Sequence, residues 1–465
     1  MNTAVFDPKG DRVVTASSDK AARIWDARTG KLLCDPLQHA DSVEAAAFDP
    51  KGEHVVTASW DKTARIWDAR TGKPLVEPLQ HADWTSDAAF DSNGQRVVTR
   101  SGNTARVWDA HTGEPLGKPL LHTDAVWVAA FDPGGDRVIT ASKDNTARIW
   151  DARTGDQIGK SLQHAGPVAG AVFDPKGERV VTASEDKTAR LWDARTGEPI
   201  GPPLLHKGAV FAAAFDSSGD RVVTASEDKT ARLWNARTGE AIGQPLQHED
   251  PIRAVAIDPK RERVVTTSYD RNVRIWDARS GAPIGKPLPQ IAPVWLFVFD
   301  PTGERVVTAD WDMTARIWDA RTGEPIGKPL QHGDSVVAAA FDPKGERVVT
   351  ASLDMTARIW DVRTGEPIGK PLQHGDSVVA ASFDPKGERV VTASRDSTAR
   401  IWRAPPTGQA LVEEILKVLG PHSPEPLRLP DATSRQESYS ALMAKGVETI
   451  IARARSWFAL NMTRD

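Results

Sequence analysis

The chain has 465 residues, and its 63 acidic side chains nearly balance its 59 basic ones, which gives a formal net charge of −4. This balance argues against a general attraction to nucleic acid or to an anionic membrane surface. Because Cys34 is the only cysteine, the chain cannot form an internal disulfide, and it suits a reducing compartment.

The N-terminal segment, residues 1–8, contains no apolar signal-peptide core. No apolar run along the chain reaches the length that a membrane-spanning helix needs. We therefore expect a soluble, cytoplasmic protein with no membrane partner.

A tryptophan recurs every 42 residues along most of the chain, with one interval of 41. The ten are Trp25, Trp67, Trp108, Trp150, Trp192, Trp234, Trp276, Trp318, Trp360 and Trp402. Eight are followed by aspartate, and the others stand in Trp234-Asn235 and Trp402-Arg403. A period of 40–45 residues that ends in Trp-Asp is typical of a β-propeller blade.

Each period predicts four short antiparallel strands. In the ninth copy, residues 335–341 and 346–352 are two apolar strands, and Asp342-Pro343-Lys344-Gly345 between them has the composition of a type I turn. A third strand ends at Trp360, and a proline-containing fourth suits the outer edge of a sheet. The first strand is rich in alanine, as expected where blades converge on a central axis.

The repeats over residues 1–403 resemble those of the WD40 family. The resemblance implies an all-β propeller of ten four-stranded blades. It also implies a buried hydrogen-bonded tetrad in each blade, formed by a histidine, a serine or threonine, an aspartate and the tryptophan. The second and fourth copies supply these residues: His39, Ser59, Asp61 and Trp67, and His122, Ser142, Asp144 and Trp150.

Three copies depart from the tetrad. The first has no histidine, the third has Asn103 in place of aspartate, and the eighth has Gln290 for histidine and Asp310 for serine. We expect these blades to be weaker, since a buried polar group that loses its partner costs about 1–3 kcal/mol.

The sequence leaves ring closure open, because propellers usually have four to eight blades. One large ring, a seven- or eight-bladed ring with surplus blades, and a fragment of a longer array are all compatible with ten repeats.

Residues 404–465 leave the repeat pattern. They predict a short helical tail: one helix from Thr407 to Leu419, a proline-rich link over residues 421–430, and a second amphipathic helix after Ser434. Docking of these helices on the propeller or on each other is the first interpretation, and self-association through the C-terminal helix is the alternative.

The repeated Ser, His and Asp residues could be mistaken for catalytic triads. A repeating core requires this set of residues in each blade, whereas an active site requires it only once, so we interpret the set as structural. Eight of the eleven histidines occur one per repeat, a spacing that scatters them around a ring, so we expect no metal site and no cofactor. We also expect no enzymatic activity. The arginine two residues before each repeating tryptophan is expected to pair with acidic groups between blades.

Three positions per repeat vary in chemical type while their neighbours stay fixed: the residue before the turn aspartate, and the residues three and five after the histidine. In the WD40 family these positions border one end of the channel, where partners bind. Aromatic side chains and arginine favour binding hot spots. The candidate partner-binding residues are Trp60, Trp84, Trp127, Phe211, Arg253, Tyr269, Trp295, Trp311 and Arg395.

These features predict a non-enzymatic scaffold or sensor that binds a protein or peptide. The repeats resemble those of bacterial WD-repeat proteins, which implies a role as the sensor part of a signalling system. Two alternatives are a propeller enzyme acting on a small ligand at the channel mouth and a nucleic-acid-binding propeller, although the latter lacks an excess of positive charge.

Overall fold

A computed structural model describes residues 3–27, 31–258, 263–290, 294, 296–309, 312–396 and 398–406. These residues form ten antiparallel sheets, one per repeat, in which each strand pairs with the next along the chain. We number the sheets as blades 1 to 10. Both helices expected in the tail, and Asp310, lie outside the described residues.

Nine blades have four described strands, and blade 10 has three. The first strands are Thr3–Phe6, Val43–Phe48, Thr85–Phe90, Val126–Phe131, Val168–Phe173, Val210–Phe215, Ile252–Asp258, Leu296–Phe299, Val336–Phe341 and Val378–Phe383. The second strands are Arg12–Ser17, His54–Ser59, Arg96–Ser101, Arg137–Ser142, Arg179–Ser184, Arg221–Ser226, Arg263–Ser268, Arg305–Ala309, Arg347–Ser352 and Arg389–Ser394. The third strands are Ala21–Asp26, Thr63–Asp68, Thr104–Asp109, Thr146–Asp151, Thr188–Asp193, Thr230–Asn235, Asn272–Asp277, Thr314–Asp319, Thr356–Asp361 and Ala399–Arg403. The fourth strands are Leu37–Gln38, Leu79–Gln80, Leu120–Leu121, Gln157–Gln163, Leu204–Leu205, Ala241–Gln247, Pro283–Pro289, Pro325–Gln331 and Leu372–Gln373.

The turn between the first and second strands is fixed by its aspartate and glycine. In blade 9 the Gly345 N–H donates to the Asp342 carbonyl at 2.9 Å, and the Asp342 carboxylate accepts the Glu346 N–H at 2.8 Å. Gly345 has φ +70°, a conformation that glycine adopts without a steric penalty. The predicted turn thus reverses the chain without leaving its polar groups unpaired.

The hydrophobic core lies between neighbouring blades. In the cluster that joins blades 1 and 2, Ile24 and Leu37 of blade 1 pack with Val43, Val55 and Trp67 of blade 2, and all five are buried. A blade cannot bury its apolar face alone, so each one is stabilised by the next.

An arginine at the start of the second strand links each blade to the next in nine of the ten blades. Arg179 of blade 5 bonds its own Asp174 at 3.1 Å and donates to the carbonyls of Gly219 and Ala236 in blade 6, at 2.5 and 3.1 Å. Its guanidinium also lies 5.7 Å from the centre of the Phe215 ring. The side chain therefore satisfies polar groups of two blades at once.

The expectation that third-strand arginines pair between blades is wrong. Arg23 pairs at 2.9 Å with Asp19, and Arg316 pairs at 2.6 Å with Asp312, in each case the turn aspartate of the same blade. The aspartate lies four residues before the arginine, across a tight turn.

The ten blades close into one ring. Arg389 of blade 10 donates to the Gly10 carbonyl of blade 1 at 2.7 Å and to Asp384 at 2.9 Å, which repeats the arginine link of the other junctions. Val391 of blade 10 packs with Val13 and Ala27 of blade 1. Among the three alternatives that the sequence left open, the structure is a single large ring.

Candidate interaction surface

Each blade that has the histidine, the aspartate and the tryptophan holds a buried hydrogen-bonded network near one end of its sheet. In blade 5, His164 Nδ1 donates to Asp186 at 2.8 Å, and the Thr182 hydroxyl donates to His164 Nε2 at 2.7 Å. The Trp192 Nε1–H donates to the same hydroxyl oxygen at 2.8 Å. The hydroxyl of Thr182 therefore joins the imidazole to the indole.

The same geometry occurs in the two blades on which the tetrad was predicted. In blade 2 it joins His39, Asp61 and Trp67, and in blade 4 it joins His122, Asp144 and Trp150. The bridging hydroxyl is that of Thr57 in blade 2 and that of Thr140 in blade 4.

The predicted role of serine in this network needs correction. Ser59 is buried but donates to the Asp41 carbonyl and accepts the Asp61 N–H, both at 3.1 Å, so it holds the loop and the turn together. Ser142 makes the equivalent bonds in blade 4. The signal that could have revealed the threonine is its presence at the same position in all ten repeats. The ten are Thr15, Thr57, Thr99, Thr140, Thr182, Thr224, Thr266, Thr308, Thr350 and Thr392.

The electrostatics of the network favour neutral histidine beside ionised aspartate. Burial lowers the pKa of His122, although the hydrogen bond from its ring to Asp144 acts in the opposite direction. Burial by itself would raise the pKa of Asp144, but hydrogen bonds from Thr146, Thr123 and His122 outweigh it and lower that pKa to about 2. The histidine bonds threonine and aspartate, not serine, so no serine–histidine pair suited to nucleophilic catalysis is formed in this network.

The blades that depart from the tetrad keep part of the network. In blade 3, His81 bonds Thr99 at 2.9 Å, and burial followed by the charge of Arg106 lowers the pKa of His81 to about 4. In blade 8, Trp318 still donates to Thr308 at 2.8 Å, but Oε1 of the buried Gln290 has no hydrogen-bond partner among the described residues. That these blades are less stable stays a prediction.

The variable position five residues after the histidine occupies a β-bulge. The pairing between the first two strands skips Glu44, Ser86, Trp127, Phe211 and Arg253 in their respective blades. A bulged residue is left out of the ladder and its side chain is re-aimed. Its side chain can therefore change without disturbing either strand.

The other two variable positions lie beside each other at the same end of the sheet. The residue before the turn aspartate donates its N–H to the carbonyl of the residue three after the histidine. Examples are Trp60 to Ser42 at 2.9 Å and Tyr269 to Pro251 at 3.1 Å. We call the surface formed by the three variable positions of all blades the variable rim.

Several of the predicted partner-binding side chains are exposed on the variable rim. The exposed fractions are 59% for Trp84, 49% for Tyr269, 43% for Trp60, 43% for Phe211 and 37% for Trp127. Arg395 is exposed as well. Arg253 is described only through its backbone, and Trp295 and Trp311 lie outside the described residues.

The structure brings two of these side chains together. Trp60 of blade 2 and Trp84 of blade 3 stack with ring centres 5.5 Å apart and planes inclined by 22°. Stacking of this kind contributes about 0.5–1.5 kcal/mol beyond area burial. The exposed faces of the two indoles make an aromatic platform that spans two blades.

The same junction is unusual at the opposite end of the sheet. Blade 2 begins its second strand with His54 where the other blades have arginine, and the His54 ring lies 6.1 Å from that of His111 in blade 3. The indole stack therefore also has a structural interpretation, because it adds a contact between blades 2 and 3, the junction that lacks the arginine link.

Other chemistry is sparse among the residues that the structure describes. They contain no group of three or more His, Cys, Asp or Glu side chains that could hold a metal ion. They include no helix long and apolar enough to cross a membrane. A cavity of about 400 Å³ lies at the other end of the first strands, lined by Phe6, Phe341 and Phe383 together with Asp-Pro turns.

Ten radial antiparallel sheets, nine of them with four described strands and most of them built around a buried Thr–His–Trp network, define a β-propeller whose variable residues lie at one end. Comparison with protein families matches the model described as "WD domain, G-beta repeat" ten times. The matched residues are 2–26, 30–68, 72–109, 113–151, 156–193, 202–235, 240–277, 290–319, 323–361 and 365–403. The chain therefore belongs to the WD40 family.

One solved structure similar to the chain is that of the computationally designed Ika8 protein. It has 26% sequence identity and a TM-score of 0.51, and the alignment covers 71% of this chain and 99% of the designed one. No curated protein gives a significant match to the chain.

Proposed function

We propose that the protein is a non-enzymatic scaffold or sensor module that binds a protein or peptide on its variable rim. The observation that carries the proposal is the exposed Trp60–Trp84 stack, since tryptophan is the residue type most enriched in binding hot spots. WD40 propellers commonly serve protein–protein interaction, which supports the same conclusion.

The separation between core and rim also supports this function. The core residues repeat from blade to blade, whereas the bulge and turn positions carry Glu44, Trp127, Phe211 or Tyr269 without a change in strand pairing. A surface whose chemistry differs in every blade can recognise an asymmetric partner. The sensor part of a bacterial signalling system is the cellular role we propose for it.

The experiment compares Trp60→Ala and Trp84→Ala with Leu75→Ala. Leu75 is an apolar residue of blade 2 that is about as exposed as Trp60 and lies off the variable rim. Each variant of the full chain is used to capture partners from native cell extract, quantified by mass spectrometry, and its melting temperature is measured.

The proposal predicts that both tryptophan variants lose specific partners that Leu75→Ala retains, with similar melting temperatures. If the tryptophan variants melt lower but capture the same proteins in the same amounts, the stack serves only the junction between blades 2 and 3. The rim proposal would then be rejected.

A further inference from the structure

The two indoles of the aromatic platform leave flat faces open to solvent. Trp60 and Trp84 stack with ring planes inclined by 22°, so each ring has one face against its neighbour, and 43% and 59% of the two residues remain exposed. The face of an indole is the negative part of its quadrupole and attracts a cation that lies within about 6 Å of the ring centre. The platform therefore suits a flat cationic group.

Acidic side chains hold fixed positions beside the backbone of both tryptophans. In blade 2, the Trp60 N–H donates to the Ser42 carbonyl at 2.9 Å, and the Ser42 hydroxyl donates to Glu44 Oε1 at 2.6 Å. In blade 3, the Trp84 N–H donates to Oδ1 of its neighbour Asp83 at 2.8 Å. A carboxylate is thus tied to the segment that carries each ring of the platform.

Nearby basic residues do not balance these carboxylates. In blades 4 and 7 the aspartate two residues after the histidine pairs with a lysine, at 4.0 and 3.6 Å. Asp41 and Asp83 stand at the same position of blades 2 and 3, are exposed, and form no ion pair with any described residue. Arg100 of blade 3 is offset by Asp87, its partner in the ladder. One lysine, Lys62, then stands against the carboxylates at positions 41, 44 and 83, so the surroundings of the platform carry net negative charge.

We propose that the aromatic platform binds an arginine side chain of the partner protein. The planar guanidinium lies on the open face of an indole, and its N–H groups, which point outward in the plane of the guanidinium, donate to the flanking carboxylates. This inference rests on the proposed function of the variable rim and names the chemistry of the partner.

Charge complementarity decides between the possible occupants of the platform. An aromatic surface alone would accept any apolar side chain, but the net negative charge around it favours a cation. Arginine fits better than lysine, because a guanidinium can stack on a ring and bond carboxylates at the same time, whereas an ammonium group has no flat face.

The probe is the peptide Gly-Ser-Gly-Arg-Gly-Ser-Gly, compared with the same peptide in which citrulline replaces arginine. Citrulline has nearly the same size and planar shape but carries no charge. Each peptide is titrated onto the full chain labelled with fluorinated tryptophan, and binding is followed by fluorine NMR. The Trp60→Phe and Trp84→Phe variants assign the two signals of the platform.

Three protein variants separate the contributions to binding. Trp84→Leu keeps an apolar side chain but removes the ring. Glu44→Gln combined with Asp83→Asn keeps the oxygen acceptors that bond Ser42 and Trp84 but removes two charges. Glu227→Gln is the matched control, because Glu227 is an exposed carboxylate of the variable rim in blade 6. The melting temperature of each variant is measured to show that it is folded.

We expect the arginine peptide to shift the signals of Trp60 and Trp84 saturably at millimolar concentration, and the citrulline peptide to bind about tenfold more weakly. Trp84→Leu and the double charge variant should each weaken binding of the arginine peptide about tenfold, whereas Glu227→Gln should leave its affinity nearly unchanged. Added salt should weaken binding to the wild type more than to the double charge variant.

Equal affinities of the arginine and citrulline peptides overturn the inference, as do shifts of other tryptophan signals while those of Trp60 and Trp84 stay unchanged. Equal weakening by Glu227→Gln and by the double charge variant also overturns it. Partner capture tests the proposed function separately. If Trp60→Ala and Trp84→Ala lose partners while the arginine peptide does not bind, the variable rim recognises a different chemistry, and only this inference is rejected.

Discussion

The threonine hydroxyl at the centre of the network is the most direct target for testing how the blades are stabilised. Thr182 is fully buried, and its oxygen bonds Trp192 Nε1 at 2.8 Å and His164 Nε2 at 2.7 Å. Thr182→Val replaces the hydroxyl with a methyl group and leaves both nitrogens without a partner. Each such loss costs about 1–3 kcal/mol, so we expect the free energy of unfolding to fall by about 2–6 kcal/mol.

Ser184→Ala is the matched control two residues away. Ser184 is equally buried, but its hydroxyl bonds backbone groups of Gly166 and Asp186, two residues that are only partly buried. Water can replace part of those bonds, so we expect a loss of about 1 kcal/mol. Thr182→Ser keeps the hydroxyl and should recover most of the stability that valine loses.

The assay is urea unfolding of the full chain followed by tryptophan fluorescence, with the free energies compared at matched slopes. The expected order of destabilisation is Thr182→Val, then Ser184→Ala. The reverse order, or a Thr182→Ser variant as unstable as Thr182→Val, would refute the assignment of threonine as the link between His164 and Trp192.

Three further predictions concern ring closure, the pH dependence of stability, and a glycine in the turn between the third and fourth strands of blade 4. Arg389→Ala breaks the link to Gly10 and leaves the buried Asp384 without its guanidinium, so the free energy of unfolding should fall by about 3–5 kcal/mol, with a larger radius in small-angle X-ray scattering. Arg237→Ala, which removes an exposed ion pair, should leave the free energy of unfolding nearly unchanged. Because the pKa of His81 is lowered to about 4 from 6.5, the unfolded state binds the proton more tightly than the folded state. The stability present above pH 6.5 is therefore lost as pH falls towards 4, by up to about 3 kcal/mol. Urea titrations of the wild type and His81→Gln from about pH 7 to 4 should show a shallower pH dependence for the variant. Gly155→Ala places a Cβ 2.2 Å from the Lys118 carbonyl oxygen at φ +67° and should lower the melting temperature, whereas Gly170→Ala, with its nearest neighbour at 4.0 Å, should leave it nearly unchanged.

The blades could be predicted from the sequence because their determinants are local and repeated. Asp342 and Gly345 fix a turn within four residues. The 42-residue period places Trp360, and its equivalents in the other blades, at the same point of each sheet. The bridging threonine was missed because Thr350 stands inside an apolar strand, where a hydroxyl is easily taken for a β-branched core residue. Its partners lie 18 residues before it and 10 residues after it.

Contacts between distant residues could not be read from one sequence. The inter-blade arginines donate to backbone carbonyls 40 and 57 residues away, and carbonyls carry no sequence signal. Closure depends on Arg389 and Gly10, which are 379 residues apart. The adjacency of Trp60 and Trp84 likewise follows from the packing of blade 2 on blade 3, although each tryptophan could be identified as out of step with the period.

The closing junction explains how a ring of ten blades is tolerated. Arg389 makes the same bonds to Gly10 and Asp384 that Arg179 makes to Gly219 and Asp174, so closure uses no contact that is special to the last blade. Nine of the ten junctions use the same arginine link. When most junctions use the same residues, stability is close to a sum of similar neighbour terms, and blade number is not fixed by the closure itself. Specificity must then come from positions outside the repeated contacts, and the β-bulge and turn residues of the variable rim meet that condition.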